Sequence, residues 1–164
     1  MEIRKTVITD LPRIMEIYGI AREFMAKTGN PDQWGPRKWP PERVIRKDIE
    51  AGKSYVCIAD DGHICGTFFY DYGRPEPFYD HLAGGNWAKD GDYGVVHRIA
   101  SDGSAKGIGT FCLNRAFEWC GYLRIDTHPD NKVMRSLLAK LGFVQRGEVH
   151  VAEDDAIRYA FDKT

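Results

Sequence analysis

The stretch SDGSAKGIGTF, residues 101 to 111, constrains the fold of this chain most strongly. It holds three glycines, a lysine and small hydroxylated residues between the apolar run YGVVHRIA and the helix-patterned run FCLNRAFEWC. Ile108, Phe111, Cys112, Ala116 and Trp119 recur at helical spacing, whereas YGVVHRIAS reads as a strand. A strand-to-helix junction so poor in side chains has two readings. Either the chain turns tightly there and nothing more, or a ligand must approach the backbone closely.

The rest of the chain supplies the partners of this unit. EIRKTVI alternates like a strand, and Asp10 is placed to cap a helix with Leu11, Ile14, Met15, Tyr18, Ala21 and Met25 on one face. A turn-rich loop, NPDQWGPRKWPP, precedes a second helix, ERVIRKDIEAG. SYVCIADDGHICGTFFYDY reads as two strands joined at Asp61-Gly62. The irregular stretch GRPEPFYDHLAGGNWAKDGD is long enough to suggest function, and its aromatics argue against disorder. YLRID is a short strand. Asp130 or Asn131 can cap a helix over NKVMRSLLAKLG, with Met134, Leu137, Leu138 and Leu141 inward and Gly142 closing it. FVQRGEVHV and AIRYAFD finish as strands. The order βααβββαβαββ predicts an α/β (α+β) domain spanning residues 1–164, with a mixed central sheet of about seven strands flanked by about four helices.

Composition excludes several classes. The 164 residues carry a net charge of −1, which argues against a broad electrostatic grip on nucleic acid or anionic lipid. No apolar run approaches a membrane span, and MEIRKTVITD has no signal-peptide core, so a cytoplasmic location is expected. Cys57, Cys65, Cys112 and Cys120 form no CxxC pair and read as buried apolar residues, with no metal site implied.

The glycine run fails the specific nucleotide patterns. From Gly103 the Gly-Lys pair of GxxxxGK[ST] is missing, and from Gly107 the third glycine of GxGxxG is replaced by Cys112. The shared physics remains: consecutive backbone N–H groups at a helix start favour an anion. Gly107, Ile108, Gly109 and Thr110 can wrap a phosphate or pyrophosphate, with Lys106 adding a cation.

Taken with HRIASDGSAKGIG and LRIDTHPDNKVMRSLLAKLGF, the order of elements resembles the GNAT family of acetyl-CoA-dependent N-acetyltransferases. The resemblance spans the whole chain, beginning with the IRKTVITDLPRI opening. Its loop pattern R/Q-x-x-G-x-G/A falls on Ser104, Ala105, Lys106, Gly107, Ile108 and Gly109, with Ser104 in place of arginine or glutamine. The later pattern N-x-x-A-x-x-x-Y-x-x-x-G-F falls on Asn131, Met134, Leu138, Gly142 and Phe143. The resemblance implies that main-chain groups of Ile99, Ala100 and Ser101 pair with pantetheine, with Ile99 also at the thioester and its oxyanion. It also implies that residues 104 and 106 to 110 hold the pyrophosphate, and that Asn131 meets the pantetheine arm. Asn131 as a helix cap explains the residue equally well. Leu138 stands where the family often has a tyrosine that protonates the departing thiolate. A thiol of pKa about 8.5 is a fair leaving group without that help, and Tyr122, Tyr159 or an ordered water can substitute.

The chemistry also needs a base for an ammonium acceptor, and His97 is the candidate, against the reading of a hydrogen-bonded structural histidine. Strand alternation places Arg98 on the opposite face, in a salt bridge. Trp34, Trp39, Phe78, Tyr79, His81 and Trp87 lie in the two long loops, and the resemblance assigns such loops to the acceptor. Asp71, Glu76, Asp80 and Asp92 are able to attract a cationic amine, though scattered carboxylates are usually solvated. His63 and His150 read as turn and surface residues, and His128 as a turn stabiliser. The expected activity is transfer of acetyl from acetyl-CoA to a small-molecule or peptide amine by direct attack in a ternary complex, without metal, in a protein that can form a homodimer. A non-catalytic acyl-CoA-binding module, an acyltransferase with a longer acyl donor and an adaptor reusing the architecture are the rivals.

Overall fold

The computed structural model describes residues 1–151 and 156–164. Strand β1 (Glu2–Lys5) leads through a 3-10 turn into helix α1 (Leu11–Lys27), then α2 (Glu42–Glu50), β2 (Ser54–Ile58) and β3 (Ile64–Gly73). A second 3-10 turn, Pro77–His81, precedes β4 (Tyr93–Ser101), α3 (Ile108–Cys120) and β5 (Leu123–Thr127). Helix α4 (Lys132–Lys140), β6 (Val144–His150) and β7 (Ile157–Lys163) complete the described chain. The mixed seven-stranded sheet and its four helices are those the sequence predicts.

Asp10 departs from expectation. Its carboxylate takes the Val7 N–H at 2.9 Å and a two-pronged contact from Arg4, and makes no side-chain cap on α1. The acid therefore closes the turn that feeds the helix.

The strand order is β1-β2-β3-β4-β5-β7-β6. Every pairing is antiparallel except β4 with β5, which are joined by the crossover helix α3. Successive residues of a strand face opposite sides, which separates Val56 from Cys57. Val56 packs with Leu11, Ile14, Ile17 and Tyr18 of α1, and Cys57 packs with Ile108, Leu113 and Leu138 on the α3–α4 side. Cys57, Cys65 and Cys112 are buried, Cys120 is partly so, and all four are free thiols.

Two irregularities in β4 shape the functional end of the sheet. Only Gly94–Leu123 and Val95–Arg124 pair between β4 and β5; beyond them the strands separate and a cleft opens. On its other edge β4 carries a bulge, because Thr67 faces Ala100 while Phe69 faces His97, leaving Arg98 and Ile99 opposite Phe68 alone. Arg98 takes φ +50°, and its carbonyl accepts the buried Tyr18 hydroxyl at 2.7 Å. Its guanidinium lies over the Phe69 ring and donates twice to Asp48 of α2, at 2.9 Å each. The expected salt bridge is present. Simple alternation is not: the bulge brings both His97 and Arg98 to one cavity.

Candidate active site

The separated strands wall a cavity of about 140 Å³. Residues Val96 to Ile99 come from β4 and Ile125 to Thr127 from β5, with Asn131 and Met134 at the start of α4. The loop after α1 covers it with Gln33, Trp34 and Trp39, and the segment before β4 contributes Glu76 and Phe78. Past Val95 the β4 edge that faces β5 has no strand partner, so its main chain is available for an extended ligand.

His97 sits between two carboxylates. Its Nε2 lies 2.7 Å from Glu76 Oε1, and its Nδ1 lies 3.9 Å from Asp126 Oδ2. The rings of Phe69, Phe78 and Tyr79 surround the imidazole at 5.8 to 6.5 Å. Burial pushes the Asp126 carboxyl above the usual carboxylate range, opposed by His97 and by the Tyr79 hydroxyl, which donates to it at 2.7 Å. Burial, and then Asp126, raise the Tyr79 hydroxyl well above its ordinary value, so Tyr79 remains a donor. A histidine oriented by one acid beside another has the geometry of a positioned proton acceptor.

In the loop that follows β4, Gly107 takes φ +84° as the N-cap of α3, and a Cβ there would meet nothing within 4 Å. Phe111 N–H closes the first helical bond to Gly107 O at 2.9 Å, leaving the amides ahead of it without intrahelical acceptors. Lys106 is exposed beside them. Gly109 has a packing reason as well, since an added Cβ would press within 3.2 Å of Leu137. Ser104 is tied into the loop, its N–H on Asp102 at 2.9 Å and its hydroxyl 3.1 Å from His63 Nε2. Thus residues 104 and 106 to 110 stand together outside the cavity, while Ile99 reaches into it. Ala100 packs against α1, and Ser101 pairs with Gly66.

Asn131 does cap α4, its Oδ1 accepting Met134 N–H at 3.0 Å. Its Nδ2 meanwhile donates to Gln33 Oε1 at 3.0 Å, which ties the covering loop to the helix start. Leu138 is fully buried in the core. Tyr122 lies at the far end of β5, bound to Asp162 at 3.0 Å, while Tyr159 of β7 pairs with Thr127 of β5 and has Arg135 over its ring.

The residues expected at the acceptor divide. Trp34 and Trp39 line the cavity, with Trp34 edge-on to Tyr18 at 5.7 Å. His81 and Trp87 do not. Trp87 stacks on Arg124 at 4.3 Å and donates to Tyr79 O, and His81 is exposed at the end of its turn. Their loop folds over the start of β5, drawn there by Arg124, whose guanidinium meets Tyr93, Tyr122 and the Lys89 carbonyl. Glu76, grouped in the sequence with solvated acids, belongs to the site; Asp71 pairs with Lys53, and Asp80 is exposed. Asp126, Thr127 and Gln33 escape sequence reasoning. A carboxylate inside the apolar strand LRID was the available signal for the first. His128 accepts Asp130 N–H at 3.1 Å, as a turn residue. Among the described residues no cluster of His, Cys, Asp or Glu could hold a metal, and no helix is long and apolar enough to cross a membrane.

The sequence matches the acetyltransferase (GNAT) family over residues 14–143. The chain belongs to the GNAT family. A GNAT-family acetyltransferase from Streptococcus agalactiae is 31% identical, with a TM-score of 0.89 over 99% of this chain and 94% of that one. Two more distant structures show the fold alone. One is a GNAT-family acetyltransferase from Listeria monocytogenes, 18% identical, TM-score 0.71, covering 99% and 93% of the two chains. The other is ribosomal-protein-S5-alanine acetyltransferase from Vibrio fischeri, 20% identical, TM-score 0.62, covering 98% and 91%. No curated protein matches the sequence. This GNAT protein is an acyltransferase enzyme.

Proposed function

We propose that this GNAT protein transfers the acetyl group of acetyl-CoA to a primary amine, by direct attack within a ternary complex. The observation that carries the reading is the cleft between β4 and β5, with His97 and Glu76 on one wall and the unpaired helix-start amides of α3 following the open end of β4. The pyrophosphate lies against residues 106 to 110 near Ser104, and pantetheine runs along the open main chain of residues 99 to 101 toward Asn131. For an acyl-CoA the residues fit: the edge of β4 is unpaired and the space over Gly107 is open.

The acceptor arrives largely as ammonium and gives a proton to His97, held by Glu76. The amine nitrogen then attacks the thioester carbon under Trp34 and Trp39. The oxyanion is met by the Ile99 main chain. As the C–N bond forms, the nitrogen releases its second proton to solvent, the C–S bond breaks and its electron pair leaves on sulfur. The protein acts in the cytoplasm as a single domain over residues 1–164.

Calorimetric titration of acetyl-CoA, followed by an amine screen read by free thiol release, tests this. Micromolar binding with amine-dependent release supports it. Binding without release from any amine leaves a non-catalytic acyl-CoA module, and tighter binding of longer acyl-CoAs moves the donor assignment.

A further inference from the structure

Thr127 ends β5 at 2% exposure, and its Oγ1 has no hydrogen-bond partner among the described residues. A buried hydroxyl left unpaired costs roughly 1–3 kcal/mol, and a valine of the same shape would avoid that cost. The other such atom, Asn30 Oδ1, belongs to the covering loop and does not line the cavity. Thr127 does line it, from the wall opposite Ile99 and beside Asn131 and Met134.

We propose that Thr127 Oγ1 donates a hydrogen bond to the sulfur of the bound acyl-CoA and holds the thiolate as it leaves. The assignment rests on the reading that this cavity receives the thioester. The other candidate hydroxyls are excluded by position or engagement: Leu138 offers none, Tyr122 is bound to Asp162 at the far end of β5, Tyr159 does not line the cavity, and the Tyr18 and Tyr79 hydroxyls are spent on Arg98 O and Asp126. Thr127 keeps its own proton throughout. The C–S electron pair goes to sulfur, the hydroxyl stabilises that charge, and the proton that completes the free thiol is the one His97 took from the amine.

The test needs no acceptor. CoA and desulfo-CoA are titrated by calorimetry at pH 8.5, where a free thiol is about half ionised, into wild type, Thr127→Val and Thr127→Ser. Wild type and Thr127→Ser are expected to bind CoA about tenfold more tightly than desulfo-CoA, the worth of one hydrogen bond to a charged group. In Thr127→Val that preference falls to within about twofold while both ligands still bind, and its thermal midpoint is no lower than that of wild type. Equal affinities in wild type, or an intact preference in Thr127→Val, overturn the assignment and leave the acyl-CoA reading standing. Binding of neither ligand by wild type overturns that reading itself.

Discussion

His97 and Glu76, 21 positions apart in the chain, meet at 2.7 Å across the floor of the cleft. Each is mostly shielded, at 16% and 18% side-chain exposure. In the proposed mechanism this pair serves as proton acceptor and orienting acid. Once an amine acceptor has been found, His97→Gln is expected to lower kcat by about 10²–10⁴-fold, with the affinity for acetyl-CoA unchanged. Glu76→Gln gives a smaller loss in the same direction. Thiol release under saturating donor and acceptor measures both; wild-type kcat in His97→Gln would falsify the role.

Gly107 separates backbone strain from ligand charge. Gly107→Ala has open space for its methyl group but must adopt φ +84°, so a loss of about 1 kcal/mol in urea unfolding is expected. Gly107→Asp carries similar strain and adds a negative charge at the helix start. Acetyl-CoA affinity should drop at least tenfold further in Asp than in Ala. Equal affinities in the two variants would move the pyrophosphate elsewhere.

Asp48 is the counterion of Arg98 at the β4 bulge. Burial raises the Asp48 carboxyl above its ordinary range, with Arg98 working against that rise. Asp48→Ala leaves a largely buried guanidinium uncompensated, and a destabilisation of about 3–5 kcal/mol is expected from urea midpoints. A change below about 0.5 kcal/mol would mean that water already carries the Arg98 charge.

Acid sensitivity follows from Asp10. Arg4 beside it, with the Val7 N–H, holds the Asp10 carboxyl below the ordinary carboxylate value against the opposing effect of burial. A depressed folded value means that the stabilisation is complete above the unfolded pKa of about 3.9 and disappears as pH falls through the folded one. Asp10→Asn should therefore be less stable than wild type at pH 6, with the gap closing on acidification. Thermal midpoints from pH 6 to 2 would show a constant gap if the pair contributes nothing.

Leu138 is fully buried in the core between the sheet and its helices. Leu138→Tyr, which restores the residue often found there in the family, is expected to cost about 1–3 kcal/mol by overpacking and to bring no gain in turnover. Faster acetyl transfer by a folded Leu138→Tyr protein would show that the core can open to present the hydroxyl.

The element order was legible because periodicity, turn chemistry and capping act over a few residues: the glycine run, Asp61-Gly62, and Asn131 with Gly142 mark their own junctions. The proposed cofactor side of the site is local too, since one strand, one loop and one helix start would build it. The acceptor side is not. Glu76 reaches His97 only because residues 74–92 fold back over the sheet, while that same folding draws Trp87 and His81 away to Arg124. The bulge at Arg98 depends on Tyr18 and Asp48 from two helices, and no strand pattern contains them. Asp126 and Thr127 become functional candidates only when burial removes water from them, and burial is a property of the assembled layers. Local backbone chemistry wrote the order of the elements; which polar groups were left dry in the cleft was decided by the packing of segments far apart in the chain.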